Sequence, residues 1–291
     1  MIDLVLPKGS LESGTLKLFE EADLPVRRSS DRDYNASIPD PRLGKVKILR
    51  PQEIAKAVQN GYFDLGITGH DWVVETDSDV HQVMDLGFNR NGSPIARVVL
   101  AVPADSPIQR AEDVPPGARV STEYPNITTR FFQQLNIPVT VSLSYGATEA
   151  KIPELADVIV DLTETGSSLR RAGFKIVGTL VETSTRLIAN KNAWANPEKR
   201  AAIEEITTLL VGVLAARGKV LIKMNVPEER LQEVIRILPA MKAPTVSHLF
   251  GTGFYAVETV AVKNTINLLI PELKKSGAED ILEIPISKIV G

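Results

Sequence analysis

The residues with the densest chemistry lie together. Asp161, Thr163, Glu164, Thr165, Gly166, Ser167 and Ser168 set a carboxylate, a second acid, a row of hydroxyls and a glycine directly after the apolar run Val158-Ile159-Val160. Such a β-branched run suits a buried parallel strand, which places Asp161 where the strand reaches the carboxyl edge of its sheet and where a ligand site belongs. A helical pattern starts at Leu169 and Gly173 can end it, so the hydroxyls occupy a strand-to-helix turn. Backbone N–H groups at a helix start have no partner within the helix and sit at its positive dipole end. Such a turn can wrap a phosphate while the hydroxyls donate further hydrogen bonds. Asp161 is then placed to accept hydrogen bonds from a sugar diol whose phosphate lies on the loop, so a phosphosugar fits. The same residues also suit a strand, a capped turn and a helix with no ligand, because Ser and Thr cap helices generally. Neither the Gly-x-x-x-x-Gly-Lys-Ser/Thr loop nor the triple-glycine dinucleotide fingerprint occurs.

Cations able to meet a phosphate come from two earlier strand ends. Residues 2–6 form an apolar strand broken by Pro7-Lys8-Gly9-Ser10, after which Leu11, Thr15, Leu18, Phe19 and Ala22 share one helical face. Lys8 therefore stands beside a helix N-terminus at the sheet edge, to hold a phosphate or to remain an ordinary solvated lysine. Residues 48–50 end a second strand, and Pro51 opens a helix that stops at Asn60-Gly61. Arg50 is the stronger anion clamp, since a guanidinium grips phosphate through two parallel bonds. The polar stretch 27–47 between them reads as a hairpin or an active-site flap with mostly solvated charges. Residues 65–68 form another buried strand before Gly69-His70-Asp71-Trp72. His70, one of 3 histidines, reads as a polar or substrate-contacting residue rather than a metal ligand.

The remaining elements must carry the loop. Residues 95–102 form a strand, and the prolines from 103 to 117 mark a change of domain. The stretch from Val120 ends a short strand with polar residues, Asn126 caps a helix through Leu135, and residues 139–143 form a further strand before Gly146-Ala-Thr-Glu149. Strands at 176–182 and 185–189 return the chain to the first domain, giving two α/β lobes with the site in the cleft. Pro197 starts a long helix with Ile203, Ile206, Leu209, Leu210, Val213 and Leu214 at helical spacing, ending at Gly218. Beyond it, strands at 220–226, 245–250, 255–262 and 281–284 and helices at 228–238 and 265–276 give the order β-α-β-β-α-β, a ferredoxin-like regulatory or scaffold module. Pro271 inside the second of these helices predicts a kink or a late start.

Composition narrows the class. At 291 residues, 43% hydrophobic and 24% charged, the chain can bury cores in two or three domains. A net charge of -3 argues against a dedicated partner in nucleic acid or an anionic membrane, so a polyanionic substrate must be met locally. With 0 cysteines, disulfides, thiolate metal sites and a cysteine nucleophile are excluded, which agrees with a reducing cytoplasmic setting. Met1-Ile-Asp-Leu-Val-Leu-Pro reads as a first strand rather than a signal peptide, and no apolar run approaches membrane-spanning length.

Several fragments occur in the order seen in one family: Pro7-Lys8-Gly9-Ser10-Leu11, Leu65-Gly-Ile-Thr-Gly69-x-Asp71, Asp85-Leu-Gly-Phe88, Tyr124-Pro-Asn-Ile-Thr128 and Asp161-x-x-Glu-Thr-Gly-Ser-Ser-Leu169. Met224-Asn-Val-Pro227 and Leu238-Pro-x-x-Lys-Ala-Pro-Thr-Val-Ser247 follow in the tail. On these motifs the chain resembles the ATP phosphoribosyltransferases of the long, histidine-regulated form, across essentially its whole length. The resemblance implies an α/β fold with a two-lobed, periplasmic-binding-protein-like catalytic body. Residues 1–90 and 179–215 would form lobe I, 91–178 lobe II, and 216–291 a ferredoxin-like regulatory domain. It implies a pentosyl transfer between ATP and 5-phosphoribosyl 1-pyrophosphate, with Mg²⁺ held mainly by the pyrophosphate. It further implies that Glu164, Thr165, Gly166, Ser167 and Ser168 hold the ribose 5-phosphate and Asp161 the ribose hydroxyls, while Lys8 and Arg50 offset phosphate charge. Asp71, Tyr124, Asn126 and Glu149 match positions lining the cleft. Asn225 and Thr245 match the segment that binds histidine as feedback inhibitor, in an assembly of dimers into a hexamer; both also read as structural strand-end residues. The chain departs from the family pattern at Ser10, His70 and Glu123. The rival readings are a non-catalytic two-lobed binding protein and an inactive regulatory paralogue.

Overall fold

A computed structural model describes residues 1–88, 95–239, 241 and 243–291. The expected lobe boundary at 90/91, and Ala240 and Lys242 of the tail motif, lie outside the described residues. Residues 1–206 and 207–291 form two compact units. The first opens with β1 (Ile2–Pro7), α1 (Glu12–Glu21), β2 (Asn35–Ala36), β3 (Leu43–Leu49), α2 (Pro51–Gln59), β4 (Leu65–Gly69), α3 (His70–Glu75) and β5 (His81–Asp85). It continues with β6 (Ala96–Pro103), β7 (Arg119–Thr122), α4 (Pro125–Gln134), β8 (Thr140–Leu143), β9 (Val158–Thr163), α5 (Ser167–Arg171), β10 (Phe174–Thr183), β11 (Thr185–Ala189), α6 (Lys191–Ala195) and α7 (Pro197–Ala216), inside which the second unit begins.

Two sheets form, with strand orders β2-β3-β1-β4-β11-β5 and β10-β6-β9-β7-β8. β1 runs parallel to β3 and β4, and β7 parallel to β8 and β9. Their apolar runs are buried on both faces, with Leu4, Val5, Leu6, Val158, Ile159 and Val160 at 0% exposure, as parallel strands between layers require. The stretch 27–47 is a hairpin: β2 pairs antiparallel with β3, and Arg27 bridges Ser37.

Several expectations shift. β10 stays paired with β6 as far as Thr183 opposite Ala96, so the chain crosses to the first sheet at Ser184 rather than at 179. α3, β5 and α6 carry too short a periodic signal to be seen in sequence. Although α3 follows a strand of the first sheet, Trp72 packs into the core of the second, against Val98, Leu100, Tyr124 and Ile127.

Gly66 in β4 shows how close the layers are. A Cβ there would stand 2.8 Å from Val58 Cγ2 and 3.0 Å from both Ile54 Cγ2 and Val5 Cγ1. Gly66→Ala is expected to destabilise the first unit by about 1–3 kcal/mol through overpacking, read as a lower thermal midpoint. An unchanged midpoint would mean that α2 is free to move off β4.

In the second unit, β12 (Lys219–Pro227), α8 (Leu231–Ile237), β13 (Thr245–His248), β14 (Phe254–Val262), α9 (Ile266–Lys275) and β15 (Glu279–Pro285) form one antiparallel sheet of order β13-β14-β12-β15. This is the ferredoxin-like arrangement. Val220, Ile222, Met224 and Val226 alternate onto the helix side, against Val234, Ile266, Leu269 and Leu273. Pro271 lies inside α9 rather than opening it; burial of Ile266, Leu269 and Leu273 on one face offsets the amide hydrogen that proline lacks. No helix among the described residues is long and apolar enough to cross a membrane.

Candidate active site

The residues that follow the carboxyl ends of β1, β3, β4, β7 and β9 line one cavity of about 470 Å³ in the first unit. Loops at these ends collect ligands because parallel strands deliver their last residues to the same edge. Lys8, Gly9 and Ser10 come from β1, Arg50 from β3, Asp71 and Trp72 from β4, Glu123 and Tyr124 from β7. Asp161, Thr163, Glu164, Thr165, Ser167 and Ser168 come from β9 and the turn after it, and Glu149 from the short turn before it. Lys8, Arg50, Asp71, Tyr124, Glu149 and most of the hydroxyl loop therefore share one space. Gly166, Asn126 and His70 are not among its lining residues.

Asp161 sits where the two sides of β9 differ. Pairing with β7 ends at Val160, while pairing with β6 runs on to Thr163, so β9 is longer than its apolar run and Asp161 leaves the sheet on one side only. Burial, with the nearby charges of Glu123 and Glu149, pushes its carboxyl up to about 6, although the Leu162 N–H donates to Oδ1 at 2.7 Å and pulls the other way. Burial likewise raises Glu123, with Lys151 opposing it. Carboxylates held together in a cavity create demand for a cation or a cationic reacting centre.

The hydroxyl loop is a tight turn. Helix α5 starts at Ser167, earlier than the apolar pattern suggests, because Gly166 at its N-cap takes φ +73° and turns the chain at once. The Gly166 N–H donates to Thr163 Oγ1 at 2.9 Å, and the Thr165 hydroxyl lies 2.9 Å from Ser167 Oγ. Arg170 donates to the Thr165 carbonyl at 3.0 Å and clamps the turn from below. Gly166 is thus a backbone device, buried while Ser167 and Ser168 are exposed. A Cβ at Gly166 would meet Arg170 Nη1 and Ile176 Cδ1, each at 2.9 Å. Gly166→Ala is expected to cost about 1–3 kcal/mol through the strained turn, lowering the melting temperature by several degrees, and to raise the KM of the ligand held there. Equal KM values would remove the loop from binding.

The two cations differ in a way the sequence conceals. Lys8 Nζ donates to the Asp31 carbonyl at 2.9 Å, lies 4.0 Å from Glu12 and stands 5.2 Å over the Tyr34 ring. Glu12 is partly buried, which pushes its pKa up. The Gly9 N–H, Arg28 at 2.6 Å and the charge of Lys8 outweigh that and leave it below its ordinary value. Lys8 is thereby tied to the 27–37 flap and shares its charge. Arg50 is exposed at the cavity wall, with its Nη1 4.0 Å from where a Gly9 Cβ would be, and no protein partner holds it among the described residues. No local pattern singles out Arg28 or Asp31; Glu12, three residues after Gly9, fits the reach of an acid back to a helix start.

At the α3 side, Asp71 is buried. Its Oδ2 accepts from Tyr124 OH at 2.7 Å and its Oδ1 from Thr183 Oγ1 at 2.8 Å. Burial raises the pKa of Asp71 and, aided by Asp71 itself, holds Tyr124 well above its ordinary value. Asn126 does not cap α4. Tyr124 is the N-cap residue and Pro125 the first helical position, which proline favours, while exposed Asn126 donates its side chain to the Glu75 carbonyl at 3.0 Å. His70 is partly buried with its Nδ1 unpartnered among the described residues, and burial, then Arg186, lowers its pKa. In the second unit, Asn225 and Thr245 stand on the sheet face away from the helices; Asn225 donates to Asp280 at 2.9 Å, and Thr245 pairs with Glu258.

Comparisons with known proteins identify the family. The family described as ATP phosphoribosyltransferase matches residues 50–212, and that described as the HisG C-terminal domain matches residues 216–288. The chain is 45% identical over 291 residues to ATP phosphoribosyltransferase 1 of Geobacter sulfurreducens, covering 100% of this chain and 99% of the relative. It is 44% identical over 290 residues to the ATP phosphoribosyltransferase of Chlorobium luteolum, covering 100% and 98%. Among solved structures, the ATP phosphoribosyl transferase (HisG:HisZ) complex from Thermotoga maritima shares the fold at TM-score 0.62 and 23% identity, over 72% of this chain and 98% of that one. Collinear motifs, a shared cavity and near-complete coverage of these relatives converge: this chain belongs to the ATP phosphoribosyltransferase family, in the form that carries the C-terminal domain.

Proposed function

We propose that the cavity joins ATP to 5-phosphoribosyl 1-pyrophosphate, giving N1-(5-phosphoribosyl)-ATP and pyrophosphate, the opening step of histidine biosynthesis. The observation that carries the assignment is the convergence on one space of Asp161, the hydroxyl turn and Arg50, which has no partner among the described residues. In this reading the turn from Glu164 to Ser168 grips the 5-phosphate and Asp161 accepts from the ribose hydroxyls. Adenine N1 attacks the anomeric carbon as its bond to pyrophosphate oxygen breaks, and the electron pair leaves with the pyrophosphate. Positive charge grows on the ribose and negative charge on the leaving group. Ionised Asp161, with Glu123 and Glu149 near it, stabilises the former; Arg50, with Lys8, meets the latter. Asp71, Trp72, Tyr124 and Glu149 complete the wall left for the purine.

Mg²⁺ fits the donor chemistry, since the cavity offers hard carboxylate oxygens whose mutual repulsion a cation relieves. Held mainly by the pyrophosphate, it would neutralise leaving-group charge; the described residues gather no group of three or more His, Asp or Glu side chains as a metal site of their own. A catalytic body of two lobes between which the chain returns at Ser184, a regulatory domain over residues 216–291, histidine inhibition through the open face that carries Asn225 and Thr245, a homo-oligomer of dimers up to a hexamer, and a cytoplasmic location belong to the same proposal. Mixing the protein with both substrates and Mg²⁺ should release pyrophosphate in step with the N1-linked product. Binding of either substrate without pyrophosphate release would return the protein to the class of two-lobed binding proteins.

A further inference from the structure

Helix α3 follows a strand of the first sheet and α4 follows a strand of the second, yet the two are joined by hydrogen bonds that neither helix needs for its own formation. Glu75, the last residue of α3, is 4% exposed. Its Oε1 accepts from the Asn126 N–H at 2.9 Å and its Oε2 from the Ile127 N–H at 2.8 Å, both in the first turn of α4. Those amides have no partner inside their own helix, and a carboxylate at the positive end of a helix dipole is favoured. Because each oxygen takes a different amide, the carboxylate sets the angle between the helices as well as their distance. Arg130 of α4 returns a bond to the Val74 carbonyl at 2.7 Å, and the Asn126 side chain binds the Glu75 carbonyl. One turn earlier on α3, Asp71 accepts from the Tyr124 hydroxyl, and between the two acids Trp72 stacks on Tyr124 with ring centres 4.6 Å apart.

We propose that Glu75 is a positioning residue for the cavity: seated on the start of α4, its carboxylate locks α3 to α4 and so holds Asp71, Trp72 and Tyr124 at the separation the reaction uses. This rests on the transferase reading of the cavity. Glu75 itself is not among the lining residues, so any effect it has on turnover passes through those it holds. An ordinary helix cap would influence stability alone.

The test uses the full chain in a Trp194→Phe background, which leaves Trp72 as the single tryptophan. Glu75→Gln keeps the shape and one acceptor oxygen; Glu75→Ala keeps neither. Measured well below the melting temperature, kcat/KM should fall about 10-fold in the first and about 10²-fold in the second, the range expected when reacting groups are misplaced by about an ångström. Without substrates, Trp72 emission and near-ultraviolet circular dichroism should shift in the same order. Wild-type kcat, KM and Trp72 spectra in both variants, whatever the melting temperature, would overturn the proposal and leave Glu75 a helix cap. If Glu75→Ala does not fold, the isosteric Glu75→Gln decides alone. If the wild-type chain lacks transferase activity, that reading fails separately, and unchanged Trp72 spectra would still sink the joint.

Discussion

Asp161→Asn should lower kcat/KM by about 10²–10³ while making the ligand-free protein more stable at pH 7, a pair of opposite effects that follows from one charge. The carboxyl titrates at about 6 in the folded chain against an ordinary 3.8, because burial and the neighbours Glu123 and Glu149 disfavour its anion. At pH 7 the anion forms regardless, at a cost to folding of about 3 kcal/mol. The sign follows from the raised value: stability is full below the unfolded pKa, falls as pH rises from 3.8 to about 6, and stays reduced above. Asparagine keeps an oxygen for the Leu162 amide and removes the charge. Its melting temperature should therefore exceed the wild type's at pH 7 and converge with it below pH 4. Activity should run the other way, with kcat/KM of the wild type falling on the acid side as the free enzyme loses its anion near pH 6. A variant that is both fully active and no more stable would show that the carboxylate neither meets charge in the reaction nor carries the repulsion described.

Arg50→Ala should raise the KM for 5-phosphoribosyl 1-pyrophosphate by about 10–10²-fold, the worth of about 1.5–3 kcal/mol in charge-assisted hydrogen bonds. Lys8→Ala should cost several-fold less. Both side chains line the cavity, but Lys8 is engaged by Asp31, Glu12 and Tyr34, so its removal also releases Glu12 to Arg28, whereas no described protein group shares Arg50. Arg50→Lys should recover part of the loss, since an ammonium supplies charge without the two-pronged grip. Steady-state kinetics at fixed ionic strength would read all three, and a Lys8→Ala defect larger than that of Arg50→Ala would reverse the assignment.

The sequence by itself determined the parts whose signal is local. Apolar β-branched runs marked the central strands, Pro51 marked a helix start and Gly166 a turn, and the alternation from Val220 to Val226 with the element order after Gly218 marked the ferredoxin-like sheet. Collinear motifs supplied the family, and strand ends supplied Asp161, Lys8 and Arg50 as candidates, because parallel strands send their last residues to one edge. Tertiary structure alone decided what depends on partners distant in sequence. It put Trp72 into the second sheet's core, moved the cap of α4 from Asn126 to Tyr124, and separated a shared Lys8 from an Arg50 with no partner among the described residues. It also brought Glu123 and Glu149 close enough to raise Asp161, and Glu75 across 51 positions to the amide of Asn126. The reason is physical: propensity and periodicity act over a few residues, whereas desolvation and charge pairing depend on which side chains the completed fold brings within a few ångströms.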